Sequence, residues 1–70
     1  MVFHAENFYS FGLEAGKAWK GQYGTLYADT YLQHIASEVQ ACTYHLSRAC
    51  FPHEIINAWE QGFRDGAMGE

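Results

Sequence analysis

Basic charge is scarce in this chain: Lys17, Lys20, Arg48 and Arg64 are its only four Lys or Arg residues. Proteins that hold a phosphate backbone do so through clustered cations that displace counterions. Only Lys17 and Lys20 are near neighbours, which argues against direct nucleic-acid binding. Eight acidic residues bring the net charge to −4, a balance that suits a basic protein partner and also plain solubility. Long apolar runs are missing, and a bilayer span needs roughly 18–20 such residues, so no membrane segment is expected. The first residues lack a basic stretch followed by an apolar one, so no secretion signal is read and a cytoplasmic location is expected. Disorder is excluded, because 49% of the residues are hydrophobic and only 17% charged. Seventy residues make one small domain.

Proline is nearly absent too. Pro52 and the turn-like stretch Gly21-Gln22-Tyr23-Gly24 divide the chain into three segments, and each has the periodicity of a helix. The expected fold is all-α, a single three-helix domain over residues 1–70, with helices at about 4–20, 25–50 and 52–67. The middle segment has the clearest pattern. Ala28, Leu32, Ile35, Val39, Cys42, Leu46 and Ala49 alternate steps of four and three, a heptad stripe. Thr25 is a candidate N-cap, and the helix would be about 39 Å long. The first segment collects Phe8, Phe11, Ala15 and Trp19 on one face. The third opens at Pro52, a residue suited to the first helical position, and collects Ile55, Ile56, Trp59 and Phe63. The expected architecture is a long central helix with two shorter ones packed on it.

Glycine is placed where helices ordinarily avoid it. Gly12, Gly16, Gly62 and Gly66 fall inside the outer segments, each costing about 1 kcal/mol relative to alanine. The spacing Gly12-x-x-x-Gly16 and Gly62-x-x-x-Gly66 puts both members of a pair on one helix face. Missing side chains there would let two backbones approach closely, with Trp19 and Trp59 covering the crossing. The stretches around the two pairs echo each other, which suggests that the first and third helices pair. Phe11-Gly12-Leu13-Glu14-Ala15-Gly16-Lys17-Ala18 resembles the first helix of ribosome modulation factor and its small phage and plasmid relatives. Residues 58–68, Ala58-Trp59-Glu60-Gln61-Gly62-Phe63-Arg64-Asp65-Gly66-Ala67-Met68, resemble that family's second helix with its Trp-x-x-Gly-aromatic signature. The resemblance implies a helix-pair scaffold and a small non-enzymatic modulator, with the ribosome as the partner.

Four residues have the chemistry of zinc ligands: Cys42, His45, Cys50 and His53. On one continuous helix the outermost pair would lie about 16 Å apart, whereas one zinc ion binds its ligands at roughly 2.0–2.3 Å. No metal and no cofactor are therefore expected. A Cys42–Cys50 disulfide is also out of reach, at about 12 Å along a helix against the ~7 Å limit between Cα atoms. Free thiols agree with a reducing compartment. No nucleophile is paired with a base, and no glycine-rich loop follows a strand, so no catalytic residue is assigned and no enzymatic activity is expected.

The other face of the middle helix is polar yet uncharged. Thr30, Gln33, Ser37, Gln40, Tyr44 and Ser47 follow one another at helical spacing, and Tyr27, Tyr31, His34 and Glu38 form a second row. A solvated face normally carries Lys, Glu and Arg. Tyrosines among uncharged hydrogen-bonding residues suit an interface. The candidate partner surface is Tyr27, Tyr31, Gln33, Ser37, Gln40 and Tyr44, facing a target or a second copy in a homodimer. Two functions follow: a modulator like the family resembled, or an acidic phage-type inhibitor that occludes a host protein such as a nucleic-acid-handling defence complex.

Overall fold

The computed structural model describes residues 4–27 and 29–69. It is all-α, with three helices and no strand among the described residues: α1 (Ala5–Tyr23), α2 (Tyr31–Arg48) and α3 (His53–Ala67). Glu6 in the first turn of α1 and Lys20 in its last both complement the helix dipole. Pro52, with φ −61° and ψ 153°, occupies the N-cap of α3 rather than its first helical position. Its carbonyl accepts the amides of Ile55 at 3.0 Å and Ile56 at 3.1 Å.

The middle helix is not the long one. It has 18 residues, against 19 in α1 and 15 in α3, so the expected helix over 25–50 is corrected at its start. α1 passes through Gly21 and ends at Tyr23, and Gly24 keeps right-handed helical geometry, its N–H donating to Lys20 O. The chain then turns. The Tyr27 ring stacks on Tyr23 at 5.5 Å and on His34 at 3.6 Å, and Thr30 N–H donates to Tyr27 O at 2.9 Å. These contacts make a corner around Tyr27, and Thr30 rather than Thr25 becomes the N-cap residue, without a side-chain cap bond. Ala28, the first position of the expected stripe, lies outside the described residues.

A Schellman motif closes α2. Phe51 N–H donates to Leu46 O at 3.2 Å and Cys50 N–H to Ser47 O at 3.0 Å. The left-handed residue the motif requires is Cys50, with φ 66°. Glycine is the usual occupant, since a Cβ in this conformation costs about 1–2 kcal/mol.

Close glycine packing joins the two outer helices to each other, rather than each of them to the middle one. A Cβ built on Gly12 would collide with the carbonyl oxygen of Trp59 and lie 2.9 Å from Phe63 N. One on Gly16 would collide with Phe63 O and lie 2.8 Å from Ala67 N. The relation is reciprocal. Gly62 lies against Tyr9 O and Leu13 N, and Gly66 against Leu13 O and Lys17 N. Moving up α1 moves up α3, so the two helices run in the same direction, related by a local two-fold. Backbones this close allow Cα–H···O contacts, worth about 0.5–1 kcal/mol each. That return offsets the helix-propensity penalty of the glycines.

α2 packs mainly on α3 and barely on α1. Ile35, Val39, Phe63 and Ala67 form the core cluster, with Ala15, Trp19, Tyr31 and Trp59 packed around it. Burying a side chain such as Ile35 or Phe63 stabilises by about 1.5–3 kcal/mol. Only the centre of the expected heptad stripe is covered. Ile35 and Val39 are buried, Cys42 and Leu46 half-buried, and Ala49 exposed, while Leu32 is 66% exposed. One neighbouring helix buries a narrow band of α2, whereas the stripe would need partners along its whole length.

Candidate interaction surface

The six residues of the candidate surface divide between two sides of the molecule. Tyr27 and Tyr31 belong to an aromatic cluster built from all three helices and the corner. The Trp19 ring lies 5.2 Å from Tyr31, 5.4 Å from Tyr23, 5.8 Å from Phe63 and 6.4 Å from Tyr27. Trp59 stacks on the far side of Phe63 at 5.2 Å. The Tyr31 hydroxyl donates to Ala67 O at 2.7 Å, a carbonyl at the α3 end with no partner inside the helix. Burial raises the Tyr31 pKa. Tyr31 therefore ties α2 to α3. The spacing of Trp19, Tyr23, Tyr27 and Tyr31, four residues at each step, was the signal for this cluster.

Gln33, Ser37, Gln40 and Tyr44 are exposed on α2, with Gln40 and Tyr44 at the edge that borders α3. Ala36 and Ala41 flank that row and are exposed as well. Shallow open grooves run along it. One is lined by Ser37, Gln40, Ala41, Tyr44 and His45, and a second by Gln40, Thr43, Tyr44, Ser47 and their α3 neighbours His53, Ile56 and Glu60. The two ionic groups of α2 lie off the middle of this face. Glu38 is half-buried and accepts the Cys42 thiol at 3.6 Å. Arg48, at the C-terminal end, donates to the Tyr44 hydroxyl at 3.1 Å. Just before α2, Asp29 is exposed and lines a hollow with Thr30, Tyr31, Leu32 and Gln33.

The glycine set Gly12, Gly16, Gly62 and Gly66 is buried, so it builds the scaffold and offers no surface. A bond from Tyr9 OH to the Asp65 carboxylate crosses the open side of the same helix pair, and Gln61 Nε2 donates to Asp65 Oδ1 at 3.0 Å. Nothing in the local pattern announced that bond, since its partners are 56 residues apart. The ammonium of Lys20 sits beside Gly69 at the end of α3, where the helix dipole favours a cation. Arg64 pairs with Glu60 at 3.0 Å.

Cys42 has its pKa raised to about 11, first by burial, then by the charge and hydrogen bond of Glu38. That shift keeps the thiol protonated and unreactive. Among the described residues no three His, Cys, Asp or Glu side chains stand close enough to hold a metal ion. No helix of the described chain is long and apolar enough to cross a membrane. Comparisons with family models, with curated proteins and with solved structures gave no match. The likeness to ribosome modulation factor thus rests on residues 11–18 and 58–68 alone.

Proposed function

We propose that this chain is a small non-enzymatic binding protein that modulates a macromolecular machine, in the manner of the ribosome modulation factor family it resembles. The observation that carries the reading is the outer face of α2, where Gln33, Ser37, Gln40 and Tyr44 stand exposed and no charged residue of α2 itself falls within the row. A face kept only for solubility would carry Lys and Glu there. Gln and Ser in contact with water, beside an exposed Tyr ring, suit a hydrogen-bonded protein interface. Two free thiols fit a reducing, cytoplasmic setting.

Affinity capture from a bacterial lysate, with and without nuclease, tests the proposal. Recovery of small-subunit ribosomal proteins that is lost on nuclease treatment supports the ribosomal form. Substituting Ser37→Glu or Tyr44→Ala should abolish capture. Capture unchanged in both variants rules out the α2 face as the binding surface.

A second reading is favoured by charge: an acidic inhibitor occluding a basic site on a host protein. Glu6, Glu14, Asp29 and Glu54 are all exposed, and charge of one sign steers association with a basic partner. This reading requires nuclease-resistant recovery of one discrete complex whose affinity falls with salt. Reversing Glu14, Asp29 and Glu54 together should weaken that complex, and unchanged affinity refutes steering by charge.

A further inference from the structure

The outer face of α2 is self-complementary when a second copy is laid on it antiparallel. A register in which paired residue numbers add to a constant places Gln33 opposite Tyr44, Ser37 opposite Gln40 and Thr30 opposite Ser47. The flanking positions then oppose Ala36 with Ala41. The same register sets Asp29 of one copy against Arg48 of the other, at both ends. All of these residues are exposed, and Arg48 and Tyr44 are also bonded to each other within the subunit.

We infer that the occupant of this face is a second copy of the chain, paired antiparallel through α2 about a two-fold axis near its midpoint. This rests on the reading of the face as a binding surface. Three observations select the arrangement. First, the ionic groups at the ends of the face have opposite sign, Asp29 before α2 and Arg48 at its last residue. A parallel pairing would oppose like charges at both ends, whereas the antiparallel one opposes unlike charges twice. Second, antiparallel helices also oppose their dipoles favourably. Third, the small side chains of Ala36 and Ala41 meet near the centre, where they let the axes approach to the roughly 8–10 Å of packed helices. Gln, Ser, Thr and Tyr opposite one another can satisfy each other's hydrogen bonds, so desolvating them leaves no orphan groups.

An 18-residue helix is about 27 Å long. A contact of one such helix with its copy falls below the ~1,200 Å² of stable complexes, in the range of weak ones. The association is therefore weak and concentration-dependent. An isologous contact of this kind closes on itself and stops at two copies.

Sedimentation equilibrium of the full chain over micromolar to millimolar concentration tests the inference. The expected result is a monomer–dimer equilibrium. Asp29→Arg and Arg48→Asp should each weaken it about tenfold, and the double variant should restore it, because the swap recreates both pairs with their signs exchanged. Ala36→Arg places a large side chain at the centre, far from either helix end. It should remove the dimer with the far-UV circular dichroism unchanged, which separates loss of association from loss of fold. A monomer at every concentration overturns the inference, and so does a dimer that the charge variants leave unaltered. If the chain is monomeric and Ser37→Glu still abolishes target capture, the face remains a binding surface with a different occupant. If capture also survives, both readings fall.

Discussion

Replacing Gly12 with alanine should destabilise this protein, whereas the same substitution at Gly21 should stabilise it. Both glycines lie in α1, so intrinsic helix propensity favours alanine at either position by up to about 1 kcal/mol. Their surroundings differ completely. A Cβ on Gly21 meets nothing within 4 Å. A Cβ on Gly12 meets the Trp59 carbonyl oxygen, with Phe63 N at 2.9 Å. Both obstacles are backbone atoms, so no side-chain rotation relieves the clash and the helices must separate. Overpacking of this kind costs about 1–3 kcal/mol, and separating the helices forfeits Cα–H···O contacts worth about 0.5–1 kcal/mol each. Against the propensity gain, the net loss at Gly12 is about 2 kcal/mol. For a domain of this size that lowers Tm by roughly 8–16 °C, while Gly21→Ala raises it by up to roughly 8 °C. Urea unfolding followed by tryptophan fluorescence, with the thermal transition by circular dichroism, measures both. Equal shifts of the same sign in the two variants would refute the idea that backbone contact, rather than local propensity, explains the buried glycines.

Cys50→Gly should stabilise the fold by about 1 kcal/mol, because it removes a Cβ from a left-handed position; a urea midpoint that does not rise contradicts the strain assigned there. Tyr31→Phe should cost about 1–2 kcal/mol by leaving the Ala67 carbonyl without its donor, read from the same unfolding curves, and a neutral result removes the hydroxyl from the account of how α2 is held. Cys42, with its pKa at about 11, should react with iodoacetamide near pH 8 about tenfold more slowly than an ordinary exposed thiol. A thiolate fraction about a hundredfold lower is partly offset by the greater nucleophilicity of a more basic sulfur. Mass spectrometry of Cys50→Ser protein against a small thiol reads the rate, and a rate matching the small thiol sinks the argument. The raised Cys42 pKa also has a sign for stability. The folded chain holds the proton longer, so stability is intact below the ordinary thiol pKa and falls as the pH climbs toward about 11. Unfolding midpoints at pH 8 and pH 10.5 in wild type and Cys42→Ser should diverge in that direction.

The three helices were legible because punctuation and periodicity are local. Pro52 and the apolar spacing of Ile55, Ile56 and Phe63 mark α3 without reference to the rest of the chain. The start of α2 was not legible for the complementary reason. Residues 25–30 are compatible with a helix, and the stripe reaches back to Ala28, but Tyr27 gains more by stacking between Tyr23 and His34. That preference depends on where α1 ends, which no window inside the segment reports. The candidate surface split along the same line. Gln33, Ser37, Gln40 and Tyr44 are placed by the turn of one helix. Tyr27 and Tyr31 are placed by Trp19 and by the Ala67 carbonyl, partners far along the chain.

The parallel contact of α1 with α3 also governs when this chain can fold. Two helices running the same way in one polypeptide must be joined by a return path, and here that path is α2 with its flanking corners. The principal helix–helix contact therefore joins the first helix to the third, and beyond the Trp19–Tyr31 ring contact little holds α1 to α2 in the meantime. Contacts of such wide sequence separation form slowly, because the loop between them must close before they repay its entropy. A nascent chain that has released only α1 and α2 has no glycine face to meet and no Phe63 to bury Ile35 against. Folding waits for the last helix, and removing the final turn of α3, with Gly66 and Ala67, would leave the first helix as unsupported as the third.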